Sequence, residues 1–349
     1  MADTADRSRD SLPIPDQAYT GLITYDAKDP ATSFPKTQQL RPPEGAPNVV
    51  VVLLDDVGFG AASTFGGPCA TPAADRLAEN GLRYNRFHTT ALCSPTRQAF
   101  LTGRNHHSVG FGSITEFATS APGYNAIRPN SKATIPETLR LNGYSTAHFG
   151  KSHEVPPWEA SAIGPFDRWP TGAGFEKFYG FVGGDTHQYA PALIDGTSPV
   201  EPPDDPDYHL SEDLADRSVA WMRQQKTFAP DKPFFLYYAL GAGHSPHHVE
   251  QEWIDKYRGR FDAGWDEYRR VVFERQREMG LLPEGAVLSE RDPDVPEWSS
   301  LSDDERRMYA RQMEVYAAFL EQTDHHIGRV IDFIDEIGRL DDTLVMVFS

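Results

Sequence analysis

Short apolar runs recur along the chain, and several end in residues that carry chemistry. Residues 48–56, NVVVVLLDD, place six consecutive valine or leucine side chains ahead of two carboxylates. A run that is apolar at every position predicts a strand buried on both faces of a parallel or mixed sheet. YSTAHFGK at 144–151, PFFLYYALGAGH at 233–244 and DTLVMVFS at 342–349 read as further strands. Between them the pattern turns helical. PAADRLAENGL at 72–82 predicts a helix closed by Gly81, and SPTRQAFLTG at 94–103 one with Pro95 in its first turn and Gly103 as its stop. ATIPETLRLNG at 133–143 predicts another, with a Thr134–Glu137 capping box, Pro136 in the first turn and Gly143 at the end. Residues 155–208, rich in proline, glycine and aromatics, are expected to be loop, and the highly charged 251–340 helical. Strands alternating with helices in this order predict an α/β sandwich. Residues 1–46, polar and ending in RPPEGAP, are expected to form an N-terminal extension wrapped over one domain at 47–349.

In such sheets ligands gather beyond the carboxyl ends of the strands. Collecting the residues there gives Asp55 and Asp56 after the first strand, Lys151 and His153 after the second, and His244 after the third. Each has an ordinary reading alone: aspartates cap turns, and loop lysines and histidines are mostly solvated. Their recurrence at successive strand ends points to a metal site beside an anion pocket.

Composition narrows the partners. With 33 Lys and Arg against 51 Asp and Glu the net charge is −18, which argues against general attraction to nucleic acid or an anionic membrane; an anionic substrate needs a local cationic pocket. The first thirty residues lack a basic segment followed by an apolar one, and no stretch reaches the ~20 apolar residues of a membrane span. A soluble, cytoplasmic protein is expected. Two cysteines, Cys69 and Cys93, are too few for a disulfide framework and fit a reducing compartment.

Cys93 precedes the predicted helix at 94–103, so it belongs at a helix N-terminus, where free N–H groups and partial positive charge favour a thiolate, a phosphate or a sulfate. Arg97, one turn on, adds a planar fork of donors. The ordinary alternative is a buried structural cysteine. A cysteine phosphatase is disfavoured, because the five-residue spacing between its Cys and Arg is absent.

ALCSPTRQAFLTG, residues 91–103, resembles the signature of the type I sulfatases, in which Cys-x-Pro-x-Arg directs oxidation of the cysteine to formylglycine. GYSTAHFGKSH at 143–153 resembles their second signature, with Phe149 in place of a small aliphatic residue, and LLDDVGFG, GAGHSPHH and FYGFVGGDTHQYAP strengthen a likeness to bacterial arylsulfatases over about 47–349. The resemblance implies an alkaline-phosphatase-like sandwich with a large mixed, mostly parallel sheet flanked by helices. It implies that Asp55 and Asp56 bind a divalent cation, usually calcium, that Cys93 becomes formylglycine and also touches the metal, and that Arg97 holds its hydrate. It further implies that Lys151 and His153 grip the sulfate and handle the hydrate's proton, with His244 near the leaving oxygen. The implied partners are a small sulfate ester and a formylglycine-generating maturation enzyme. In that family an Asp-Asn pair follows the last core strand, whereas here the sequence stops at Ser349. The expectation is therefore the amino-terminal part of a longer sulfatase, with a phosphodiester or phosphonate monoester hydrolase, or an inactive binding fragment, as alternatives.

Other residues attract less functional weight. His106 and His107 flank a glycine turn and are expected to be structural more often than not. His325 and His326 are adjacent on a predicted helix and point in different directions. HSPHH lacks cysteine partners for zinc. FEKFYGF is expected in the core, and the charged 251–312 stretch is expected to be a solvated helical face.

Overall fold

Strand β1 (Asn48–Leu53) lies one strand in from an edge of the sheet. In the computed structural model, which describes residues 9–16, 18–32, 34 and 39–349, β1 is hydrogen-bonded on both sides in parallel. Its partners are β6 (Phe234–Ala239) and β7 (Thr343–Phe348). The remainder of the expected N-terminal extension lies outside the described residues. Strand β2 (Ser145–Ser152) pairs in parallel with β6 and with β3 (Lys177–Val182), and the short β4 (Leu193–Asp195) and β5 (Ser198–Val200) add antiparallel at the edge. The order is β5-β4-β3-β2-β6-β1-β7, a mixed and mostly parallel seven-stranded sheet.

Helices cover both faces, which is why β6, and β1 after Asn48, can be apolar along their length, and why β2 is buried at every position although it carries Ser145, Thr146, His148, Lys151 and Ser152. On one face Val50, Val52, Phe149, Leu236 and Tyr238 pack against helices α4 (Leu210–Phe228) and α7 (Asp303–Glu336). On the other, Val51, Leu53, Phe235 and Tyr237 meet Leu101 of α2 (Cys93–Thr102), Leu139 of α3 (Ile135–Leu141), and Phe175. Full burial of each such side chain contributes roughly 1.5–3 kcal/mol. Helix α1 (Pro72–Glu79) docks on α7: the buried Asp324 carboxylate accepts from the N–H groups of Ala73 and Ala74.

Several expectations need correction. The 155–208 region contributes strands β3, β4 and β5, and Phe178, Tyr179 and Phe181 lie in the core as expected of the FEKFYGF run. The Thr134–Glu137 capping box is half formed: Thr134 Oγ1 accepts from the Glu137 N–H, while the Glu137 carboxylate turns to Arg140. Helix α1 ends at Glu79, ahead of Gly81. The 251–312 stretch is more than a solvated face. Ile254 of helix α5 (Gln251–Asp255), Tyr257 and Phe261 are buried, and helix α6 (Gly264–Glu278) lines an apolar cavity of about 560 Å³ with Trp265 and Tyr268. No helix of the described residues is long and apolar enough to cross a membrane. Cys69 and Cys93 are both free thiols.

Candidate active site

The carboxyl ends of β1, β2 and β6 and the start of α2 meet at one place. Two close approaches make that possible. At Gly150, in β2, φ is +111° and a Cβ would stand 2.1 Å from the Ala239 carbonyl oxygen of β6. Only glycine lets the two strands touch just before Lys151. At Gly243, φ +93°, a Cβ would lie 1.9 Å from the Asp55 carbonyl oxygen. The chain leaving β6 is thereby pressed on the chain leaving β1, and the Asp55 N–H donates to the Ala242 carbonyl at 3.0 Å.

Asp55 is the hub. Its carboxylate contacts the Lys151 ammonium directly and lies 3.4 Å from Arg97 Nη2, and all three side chains are buried, Lys151 fully. Arg97 Nη1 also donates to the Lys151 carbonyl at 3.0 Å, which fixes the start of α2 against the end of β2. Burial raises the Asp55 carboxyl, but the two cations outweigh it and hold the group below the ordinary range. Two buried cations on one carboxylate leave positive charge for an incoming anion. Glu154, also buried, accepts from Ser152 Oγ at 2.9 Å, and burial pushes its carboxyl up.

Cys93 opens α2, which has no side-chain cap at Leu92. Its Sγ lies 2.9 Å from His153 Nδ1, and His153 Nε2 lies 2.8 Å from both carboxylate oxygens of Glu116. Burial, then the nearby Lys151, lowers His153 to about 4 in spite of Glu116, so the imidazole is neutral at pH 7. Burial raises the Cys93 thiol, against the pull of Lys151 and Arg97. A thiol left protonated is a poor nucleophile, which argues against an enzyme that uses Cys93 as a thiolate.

His244 donates from Nδ1 to the Ser245 carbonyl at 2.7 Å, leaving Nε2 3.7 Å from Asp56 Oδ2. Asp56 is 62% exposed and adopts φ +57°. Asp55 and Asp56 are hard oxygen donors of the type calcium takes. Among the described residues no group of three or more His, Cys, Asp and Glu has metal-holding spacing. The two aspartates therefore fit part of a coordination sphere.

All seven residues singled out from sequence thus lie about this site. Glu116, His148 and Glu154 were not anticipated. Glu116 sits in a loop turn with no periodic signal, and His148 reads as a strand residue; it donates from Nε2 to the Lys151 carbonyl at 3.1 Å. His106 and His107 are engaged locally, with the Phe111 carbonyl and the Tyr124 hydroxyl. His325 is exposed and His326 buried, as the helical geometry requires.

Known proteins resemble this chain in sequence and in fold. The chain is 33% identical over 326 residues to an uncharacterized sulfatase of Schizosaccharomyces pombe, covering 87% of this chain and 57% of the relative. To an arylsulfatase of Klebsiella aerogenes it is 29% identical over 319 residues, covering 87% and 65%. The chain thus spans less than two thirds of the length of these relatives. Its fold matches that of a Bacteroides fragilis protein regarded as a sulfatase, with TM-score 0.66, 19% identity and coverage of 89% and 63%. A structure solved with its substrate, D-glucosamine-2-N,6-O-disulfate, matches with TM-score 0.58, 18% identity and coverage of 86% and 65%. The sulfatase family profile matches residues 47–349, and the chain belongs to the sulfatase family.

Proposed function

We propose that this protein hydrolyses sulfate esters, aryl sulfates among them, to an alcohol or phenol and inorganic sulfate, with position 93 converted to formylglycine and a divalent cation, calcium foremost, on Asp55 and Asp56. One observation carries the reading. Cys93 begins a helix beside Arg97 and Lys151, two buried cations that share the single carboxylate of Asp55. In a chain of net charge −18, that local excess of positive charge is what an anionic ester requires.

A sulfate ester resists attack because its oxygens repel a nucleophile, so Arg97 and Lys151 neutralise charge as the S–O bond breaks. A cation on Asp55 and Asp56 would withdraw further charge from a sulfate oxygen. Oxidised by a separate formylglycine-generating enzyme and hydrated, position 93 supplies two hydroxyls: one releases its proton to solvent and bonds to sulfur as the alcohol leaves, and the other re-forms the aldehyde as sulfate departs. His244, as the imidazolium with Nδ1–H kept on the Ser245 carbonyl, protonates the leaving oxygen from Nε2. His153 Nδ1, aimed at position 93, takes the proton of the second hydroxyl, whose O–H electron pair becomes the C=O bond while the C–O bond to sulfate breaks.

The same pocket suits a phosphate ester in charge, so the test compares 4-nitrophenyl sulfate with 4-nitrophenyl phosphate on protein matured in a host that makes formylglycine. Faster turnover of the sulfate, with an aldehyde at position 93 by peptide mass spectrometry, supports the proposal. Faster turnover of the phosphate, or activity with an intact thiol, overturns it.

A further inference from the structure

We infer that Glu116 is a positioning residue, fixing the tautomer and aim of His153 so that Nδ1 is held as the proton acceptor facing position 93. The inference deepens the proposed hydrolysis and, as far as turnover is concerned, rests on it.

His153 is buried, and its two ring nitrogens have different neighbours. Nδ1 faces Cys93 Sγ at 2.9 Å; Nε2 faces Glu116, 2.8 Å from each carboxylate oxygen. An ionised carboxylate only accepts hydrogen bonds, so the ring hydrogen resides on Nε2 and Nδ1 keeps its lone pair. The reverse tautomer would point an N–H at position 93 and set a lone pair against the carboxylate. Glu116 is itself held in place: it occupies the single turn Thr115–Phe117, whose Thr115 is buried and donates from Oγ1 to Glu116 Oε2 at 3.1 Å. The turn lies 37 residues from His153 in sequence, so the contact exists only through the fold.

Glu116 acts by orientation: its carboxylate takes the Nε2 hydrogen and leaves Nδ1 aimed at Cys93. The carboxylate is 45% exposed, so its loss is expected to cost turnover about tenfold to a hundredfold, the range for residues that orient another ligand or base.

The test uses the full chain, matured as above and labelled with 15N-histidine, comparing wild type with Glu116→Gln and Glu116→Lys. Gln keeps an oxygen that accepts from Nε2–H. Lys offers only donors and forces the hydrogen to Nδ1. The His153 nitrogen shifts, assigned by their loss in His153→Asn, are expected to report Nε2–H in wild type and E116Q and Nδ1–H in E116K. Turnover of 4-nitrophenyl sulfate by E116K is expected to fall mainly in kcat, with E116Q recovering most of the loss, while conversion at position 93 and thermal midpoint stay close to wild type. An unchanged tautomer in E116K, or an unchanged kcat, overturns the inference. If the tautomer inverts but wild type turns over no sulfate ester, the positioning stands and the hydrolase reading falls.

Discussion

Cys93 Sγ stands 2.9 Å from His153 Nδ1, although 60 residues separate them. One residue opens a helix and the other follows a strand, and under the proposed function their contact joins the reacting position to its base. If Cys93 is the precursor of the nucleophile, Cys93→Ala should lose sulfate-ester turnover by more than about a thousandfold. Its thermal midpoint should stay close to wild type, because the thiol is only half-buried. Retained turnover in a steady-state assay would exclude the residue as nucleophile.

The buried Lys151–Asp55 contact predicts a strong non-additivity. Lys151→Met removes one of two cations from a buried carboxylate and should destabilise the protein by about 3–5 kcal/mol, the usual cost of breaking such a pair. Combining it with Asp55→Asn should recover part of that loss. Urea denaturation of the two single variants and the double variant, run in chelator, measures the coupling, and strict additivity would contradict the geometry.

Asp56 is exposed and contacts no cationic side chain as closely as Asp55 does. Asp56→Asn should therefore leave the thermal midpoint in chelator nearly unchanged yet abolish the rise produced by added calcium. That rise should correspond to about 2.7 kcal/mol in wild type at a hundredfold excess over the dissociation constant. Equal calcium shifts in the two proteins would remove Asp56 from the metal site.

Gly150→Ala tests how the site is placed. The added Cβ would meet the Ala239 carbonyl at 2.1 Å, in a backbone conformation that disfavours alanine. The clash forces β2 from β6 immediately before Lys151, so soluble yield and thermal midpoint should both fall sharply. A normal melt would show that the strands yield more readily than their contact implies.

Stability should depend on pH through three buried groups. Burial, then Arg97, lowers His148 to about 3, and burial, then Arg329, lowers His326 to about 3. Both favour the neutral ring when folded. Their contribution is present above pH 6.5 and is lost as pH falls toward 3, because only the unfolded chain takes up the protons. Asp324 runs the other way. Burial raises it to about 6, so its contribution is present below pH 3.8 and is lost as pH rises through 6. Urea melts between pH 4 and 7 should show a shallower acid loss in His326→Gln and a steeper one in Asp324→Asn. Parallel curves for all three proteins would refute these assignments.

Local structure was legible in the amino-acid sequence. Continuous apolar runs named β1 and β6, because a strand covered on both faces needs no polar alternation; the edge strand β7 showed the same run while only partly buried, and β2 was named in spite of Ser145, Thr146, His148 and Lys151. The Cys93–Arg97 spacing placed thiol and guanidinium within one turn of one helix, and the residues at the strand ends named the site. Strand β3 escaped, since its glycine-rich surroundings hide a strand inside what reads as loop. Which groups meet depends on how the strands and loops assemble. The order β2-β6-β1 and the glycine contacts at 150 and 243 bring Lys151 onto Asp55 and His244 beside Asp56, and they leave Asp55 buried but Asp56 exposed. Glu116 reaches His153 from a single turn with no periodicity to announce it. Periodicity reports the burial of a segment within itself, while the partner of a buried charge is set by sheet order and loop closure, which no local pattern encodes.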